Sequence, residues 1–174
     1  MNIVIIGYRA SGKSTLALAV SERLAMPLCD VDRGIERHFD STLTEAWQRD
    51  PVLYRDVEAD VVKEMCSRER HVISFGAGSI LREESQINAG RNSLVVYLEL
   101  SAEQLLARIE ADTKSADTRP SLTERTGLDE ILHVLPERAI VYDRCANITL
   151  DAAEPPDVLT DQVVAAFTGK KGKY

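Results

Sequence analysis

The chain has 174 residues, of which 44% are apolar, and carries a formal net charge of −7 at pH 7. That size and apolar content suit one domain with a filled core, and the acidic balance argues against nucleic acid or an anionic membrane as a main partner. We therefore expect a single domain, residues 1–174, and we expect it to act as a monomer. No apolar run approaches the roughly 20 residues of a membrane span and no signal-peptide pattern is present, so the expected location is the cytoplasm.

Short apolar runs alternate with amphipathic segments along the chain, which predicts a three-layer α/β protein. Strands are predicted at 2–7, 27–31, 71–76, 94–100 and 147–151. Their continuous apolar character indicates a buried, five-stranded parallel sheet. The polar stretch 110–127 has no clear periodicity, so it is either a linker or a functional loop. Three helical stripes are expected to face the core: Leu16, Val20 and Leu24; Val57, Val61 and Met65; and Leu128, Ile131, Leu132 and Leu135.

The turn after the first predicted strand reads "GYRASGKS" (7–14) and fits the phosphate-binding pattern G-x-x-x-x-G-K-[ST]. Gly7 and Gly12 let the backbone bend, so that successive N–H groups and the positive end of a helix face the phosphates. Lys13 supplies a charge for the β- and γ-phosphates, and the Ser14 hydroxyl is placed for Mg²⁺. The chain is therefore predicted to bind a nucleoside triphosphate with magnesium.

Three further polar groups follow in order. "CDVD" places Asp30 and Asp32 at the carboxyl end of the second strand, where ligands bind in open α/β sheets, although Asp32 also suits a helix cap. "YRDVE" puts Arg55 and Glu58 three residues apart on a helix, near enough to interact. "FGAGS" (75–79) follows the third strand as a small-residue turn that lets backbone approach a ligand.

In this order, and over nearly the whole chain, the motifs resemble those of the shikimate kinase family. The resemblance rests on "GYRASGKS", "CDVDRGIE", "YRDVE", "GAGS", "RPSL" at 119–122 and "RAIVY" at 138–142. It implies an adenylate-kinase-like P-loop core with a substrate-binding region at about 32–60 and a lid at about 112–125. It also implies transfer of the γ-phosphoryl group of ATP to the 3-hydroxyl of shikimate, a step of aromatic amino acid (chorismate) biosynthesis.

The family resemblance assigns the chemical step to three residues, Lys13, Asp32 and Arg119. Asp32 orients or deprotonates the attacking hydroxyl, and Arg119 on the lid stabilises the charge of the transferring phosphoryl group. For Mg²⁺ it implies Ser14, and Asp30 through a water molecule. The residues expected to bind ATP and its phosphates are Gly7, Ala10, Ser11, Gly12, Lys13, Ser14, Thr15, Arg108 and Arg119.

For the acceptor, the resemblance implies that Arg55 and Arg138 clamp the shikimate carboxylate, since guanidinium forks match carboxylates. Glu58 then holds Arg55 in place, and Trp47 and Tyr54 form an apolar wall. The residues expected to bind the acceptor are Asp32, Arg55, Gly76, Ala77, Gly78 and Arg138.

The chain departs from the family pattern at Ala77, where the middle glycine of a triple-glycine turn is usual. We expect this position to require only a small residue, because Gly76 and Gly78 on either side take up the unusual dihedral angles. Two alternatives stay open at this point. One is a kinase of another small hydroxy acid, such as gluconate, and the other is a nucleotide-binding regulator without catalysis.

Overall fold

The computed structural model describes residues 1–111 and 127–171, and its five strands form one sheet in the order β2-β3-β1-β4-β5. All four strand pairings are parallel, and Ile3 of the central strand pairs with Val72 on one side and Leu94 on the other. The predicted five-stranded parallel sheet is therefore confirmed. The strands are β1 (Asn2–Gly7), β2 (Leu28–Asp30), β3 (Val72–Ser74), β4 (Ser93–Glu99) and β5 (Ile148–Asp151).

Helices connect and cover these strands. Pairs of them pack together, α1 with α8, α4 with α5, and α6 with α7, and α7 also contacts the central strands β1 and β4. In the described part of the chain, none of the helices has the length and hydropathy that a membrane crossing requires. The helices are α1 (Lys13–Leu24), α2 (Val31–Phe39), α3 (Leu43–Arg49), α4 (Pro51–Ser67), α5 (Glu83–Gly90), α6 (Ala102–Ala111), α7 (Gly127–Cys145) and α8 (Pro156–Lys171).

Burial follows the position of each strand in the sheet. Every residue of β1 is buried, because β3 and β4 flank it. β5 instead alternates half-buried and exposed residues, since it is an edge strand with one neighbour. The expectation of continuous burial is thus wrong for β5.

The predicted apolar stripes of α1 and α4 face the core, but that of α7 needs a correction. Ile131 is buried, whereas Leu132 is 52% exposed. Adjacent helical residues lie about 100° apart, so the two cannot share a face. The buried face instead continues in steps of three and four from Ile131 through Leu135 to Arg138 and Tyr142, which are both buried.

The sheet order gathers the polar turns at one edge. Parallel strands point their carboxyl ends the same way, so the turns after β2, β3 and β1 lie side by side. On the other side of β1, β4 and β5 bring α6 and the loop after β5 to the same edge. Two neighbouring recesses result, one over β2-β3-β1 and one over β1-β4-β5.

Candidate active site

The turn between β1 and α1 has the backbone of a phosphate cradle. Gly7 has a φ of 147° and Gly12 a φ of 98°, so both predicted glycines take conformations that side chains disfavour. A Cβ on Gly7 would also come within 2.7 Å of the Leu98 carbonyl oxygen. Ala10, between them, is left-handed with a φ of 61°, a conformation that costs a non-glycine residue roughly 1–2 kcal/mol.

Lys13 opens α1 and is held inside this turn. Its Nζ donates a hydrogen bond of 2.7 Å to the Tyr8 carbonyl, and the side chain is buried. Ser14 and Thr15, the next two residues of the first helical turn, are exposed. The hydroxyl of Ser11 is buried and has no hydrogen-bond partner among the described residues. The cradle thus combines a fixed ammonium, a helix N-terminus and hydroxyls.

A groove beside this turn lies over β1, β4 and β5. Arg108 of α6 borders it, and its guanidinium donates to the carbonyls of Ser11 (3.2 Å) and Ala152 (2.7 Å). Arg108 therefore joins the P-loop to the loop after β5. That second loop, with Glu154 and Pro156 on the groove wall, was missed in the sequence, although its place after a predicted strand was a usable signal.

Asp30 and Asp32 occupy different environments although only Val31 separates them. Asp30 is the N-cap of α2, where its Oδ1 accepts a 3.1 Å hydrogen bond from the Arg33 backbone N–H. The capping role considered for Asp32 thus belongs to Asp30. Asp30 also lines an open groove together with Ser14, while Asp32 lines a separate pocket.

That separate pocket, over β2-β3-β1, is called the acceptor pocket from here on. All six residues expected to bind the acceptor line it, contributed by α2, α4, α7 and the turn after β3. Trp47 and Tyr54 also line it, as expected of an apolar wall. The lining residues are Arg9, Asp32, Leu43, Trp47, Tyr54, Arg55, Glu58, Gly76, Ala77, Gly78 and Arg138.

Arg55 is fixed from several sides. Its Nη1 lies 2.5 Å from Glu58 Oε2, the contact expected from their spacing on the helix. The other oxygen of the buried Glu58 accepts a 2.9 Å hydrogen bond from the Ser79 hydroxyl. The guanidinium carbon of Arg55 also lies 4.8 Å from the centre of the Trp47 ring. Arg55 is therefore preorganised on the pocket wall.

The glycines of the turn after β3 provide space rather than unusual dihedral angles. Neither Gly76 nor Gly78 has a positive φ, so our expectation about their backbone is wrong. A Cβ on Gly76 would instead meet Asp32 Oδ1 at 2.3 Å, and one on Gly78 would meet Arg55 Nη1 at 2.5 Å. Ala77 has no positive φ either, so its methyl group causes no backbone strain.

Arg138 and Arg9 complete the positive charge of the acceptor pocket. Arg138 is only 8% exposed, and its guanidinium carbon lies 5.7 Å from the centre of the Tyr8 ring. Arg9 pairs with the buried Glu130 at 3.3 Å, while its Nε is buried without a hydrogen-bond partner in the described residues. Sequence reasoning missed Arg9, because it occupies a position that the P-loop pattern leaves open.

Arg119 and the predicted lid at about 112–125 lie outside the described residues. The roles assigned to them by the family resemblance stay predictions. The described residue nearest to the lid on its carboxyl-terminal side is Gly127, the first of α7, the helix that carries Glu130 and Arg138.

Comparison with known proteins finds relatives in sequence and in fold. The family model for shikimate kinase matches residues 9–168. A shikimate kinase of Rhodopirellula baltica is 33% identical over 168 residues, covering 95% of this chain and 90% of the relative. The solved structure of shikimate kinase from Acinetobacter baumannii in complex with shikimate has a TM-score of 0.88 at 24% identity, covering 98% of this chain and 94% of that chain. The shikimate kinase from Aquifex aeolicus has a TM-score of 0.83 at 28% identity and covers 98% of both chains.

Proposed function

The chain belongs to the shikimate kinase family, and from that membership we propose how its two recesses divide the reaction. The protein is a kinase that acts on shikimate. In our proposal the P-loop and the groove beside Arg108 bind ATP, and the acceptor pocket binds shikimate. The γ-phosphoryl group then passes to the 3-hydroxyl, giving shikimate 3-phosphate and ADP. One observation carries the proposal: Asp32, Arg55 and Arg138 converge on a pocket that the P-loop residue Arg9 also lines.

Two of these guanidinium groups suit the carboxylate of the acceptor. Arg55 is oriented by Glu58 and stacked on Trp47, and Arg138 is held against Tyr8, so binding a carboxylate orders little that is not already ordered. Such charge-assisted contacts fix the orientation of the shikimate ring and also contribute to the affinity for shikimate. The family match favours shikimate over the gluconate alternative.

Asp32 is proposed as the group that handles the proton of the attacking hydroxyl. The hydroxyl oxygen forms the new bond to the γ-phosphorus while the bond from that phosphorus to the β,γ-bridging oxygen breaks, and the proton passes to the Asp32 carboxylate. Lys13 and the N–H groups of the P-loop stabilise the charge on the phosphates. In the predicted lid, Arg119 is proposed to contact the transferring phosphoryl group.

The residues near the P-loop fit a magnesium ion. Ser14 and Asp30 line one groove, and they offer a hydroxyl and a carboxylate, the hard oxygen ligands that Mg²⁺ takes. Because one Asp30 oxygen caps α2, the carboxylate is held in place for a ligand water. We propose that Ser14, and Asp30 through a water molecule, would hold Mg²⁺ with the phosphates, and the ion would supply positive charge there. We further propose that the protein acts as a monomer in the cytoplasm.

An acceptor panel tests the proposal. The purified protein is given Mg-ATP with shikimate, gluconate or adenylate, and ADP release is followed, with Lys13→Ala as a control for contaminating kinases. We expect ADP with shikimate alone and none from the control. ADP with gluconate or adenylate alone would reassign the acceptor, and ADP with none of the three would favour the regulator alternative.

A further inference from the structure

Tyr142 connects α7 to the turn after β3 without lining the acceptor pocket. The side chain is fully buried, and its hydroxyl donates a hydrogen bond of 2.7 Å to the carbonyl of Ala77, 65 residues away in the chain. Ala77 itself lines the pocket. A residue that is not part of the pocket wall thus holds a backbone group that is.

Tyr142 also interacts with Arg138, which lies one helical turn earlier on the same face of α7. Burial raises the pKa of Tyr142, and the nearby charge of Arg138 opposes that rise in part. The net pKa remains above the ordinary tyrosine value, so the hydroxyl keeps its proton near neutral pH. It therefore has a proton to donate to the Ala77 carbonyl.

The bond to Ala77 also determines the direction of a neighbouring donor. In a planar trans peptide, the C=O of one residue and the N–H of the next point in opposite directions. Holding the Ala77 carbonyl toward Tyr142 therefore turns the Gly78 N–H the other way. Because Gly78 lines the pocket, Tyr142 sets the orientation of a backbone donor on its wall.

We propose that Tyr142 is a positioning residue: its hydrogen bond to Ala77 ties α7, the helix that carries Arg138, to the Gly76–Gly78 turn and so fixes two walls of the acceptor pocket relative to each other. The inference rests on the proposed function, since it assigns these walls to shikimate. Tyr142 acts through Arg138 and the turn and makes no contact with the substrate. Removing its hydroxyl therefore loosens the binding of the acceptor and leaves the nucleotide groove unchanged.

The variant Tyr142→Phe tests this, because it keeps the ring and its packing. We expect the shikimate KM to rise about three- to tenfold, which is the effect of losing one hydrogen bond to a carbonyl. The ATP KM and kcat stay within about twofold. The matched control is Tyr97→Phe, since Tyr97 is a buried tyrosine whose ring lies 5.1 Å from that of Tyr142.

Fluorescence provides a readout that does not need turnover. Trp47 is the single tryptophan of the chain and lines the acceptor pocket, so shikimate binding is titrated through its emission. We expect Tyr142→Phe to raise the dissociation constant for shikimate by the same factor as the shikimate KM. In an Arg138→Ala background the effect of Tyr142→Phe falls to less than half, because part of its action is to hold α7, and with it Arg138, against the turn after β3.

Each result separates a positioning role from a structural one. Any of four results would overturn the inference. They are a shikimate KM of Tyr142→Phe within twofold of the wild type, an equal change of that KM in Tyr97→Phe, an equal rise of the ATP KM, and an effect that is fully additive with Arg138→Ala. A lower melting temperature with an unchanged KM would show a packing role and overturn it too. A wild-type protein that neither binds nor phosphorylates shikimate removes the proposed function and the inference together, whereas an unchanged Tyr142→Phe removes the inference alone.

Discussion

Three arginines of the acceptor pocket are held by different partners. Arg9 pairs with Glu130 and Arg55 with Glu58, whereas Arg138 lies against the ring of Tyr8. Arg55 and Arg138 are the two proposed to bind the acceptor carboxylate. We expect Arg55→Ala and Arg138→Ala each to raise the shikimate KM roughly ten- to a hundredfold, since one charge-assisted contact contributes about 1.5–3 kcal/mol.

Steady-state kinetics with both substrates check this expectation. The ATP KM changes little in either variant, while Lys13→Ala lowers turnover with any acceptor. Arg82→Ala is the matched control, because Arg82 forms a surface ion pair with Asp56 at 2.7 Å outside the pocket. A shikimate KM that stays at the wild-type value in Arg55→Ala would place this arginine outside the binding site.

Substitutions in the turn after β3 distinguish a steric role of its small residues from a role of their backbone conformation. In Gly78→Ala the new methyl group comes within 2.5 Å of Arg55 Nη1, so Arg55 must move and the shikimate KM should rise about tenfold or more. Ala77→Gly should lower the shikimate KM roughly severalfold, because a methyl group leaves the pocket wall. The control is Gly90→Ala, since a Cβ there meets nothing within 4 Å. Equal KM values in Gly78→Ala and the control would contradict the steric role.

Residue patterns predicted some side chains of the site and missed others for physical reasons. The P-loop was predictable because phosphate binding requires glycines, a lysine and a hydroxyl at fixed spacing. Arg9 was not, because its position in that pattern accepts any residue. The bond from Tyr142 to Ala77 spans 65 residues and depends on how α7 packs on the sheet, although Arg138 and Tyr142 do share helical spacing.

Helix α3 brings Leu43 and Trp47 to the acceptor pocket and depends on a cap to start. Thr42 and Glu45 form a capping box, in which Glu45 N–H donates to Thr42 Oγ1 at 3.3 Å and Thr42 N–H to Glu45 Oε2 at 2.9 Å. Thr42→Ala should lower the free energy of unfolding by about 1 kcal/mol and raise the shikimate KM slightly. Thermal or urea unfolding and steady-state kinetics measure the two effects.

A matched control exists at the start of α6. Ser101 and Gln104 exchange the corresponding bonds, at 3.3 Å and 3.0 Å, on a helix that contributes no residue to the acceptor pocket. Ser101→Ala should cost a similar free energy of unfolding and leave the shikimate KM unchanged. An equal rise of the shikimate KM in both variants would mean that the effect comes from general destabilisation.

At strand and helix boundaries, local contacts override the sequence patterns that predict the elements. The second strand was predicted to run to Val31, a β-branched residue, but the Asp30 side chain caps α2 and Val31 is already helical. The third was predicted to reach Gly76, yet its last paired residue is Ser74, because the chain then turns toward the pocket. Such ends depend on caps and turns that periodicity does not describe.

The order of strands decides how the separate motifs become one site. Alternation of apolar runs and amphipathic helices predicted a parallel α/β sheet, but the order β2-β3-β1-β4-β5 was not predicted. That order places the turns of Asp32, Ala77 and the P-loop next to one another. It also places Arg108 and the loop after β5 on the other side of β1, at the groove that we propose binds ATP. The division into two recesses follows from topology rather than from any single motif.

The position of the new phosphate on the product tests this arrangement as a unit. The enzyme is incubated with Mg-ATP and shikimate, and phosphorus–proton coupling in the NMR spectrum of the product identifies the ring carbon that bears the phosphate. If Arg55 and Arg138 hold the carboxylate while Asp32 faces the attacking hydroxyl, all phosphate is found on the 3-hydroxyl. Phosphate on another hydroxyl, or free phosphate as the sole product, would contradict the proposed acceptor pocket.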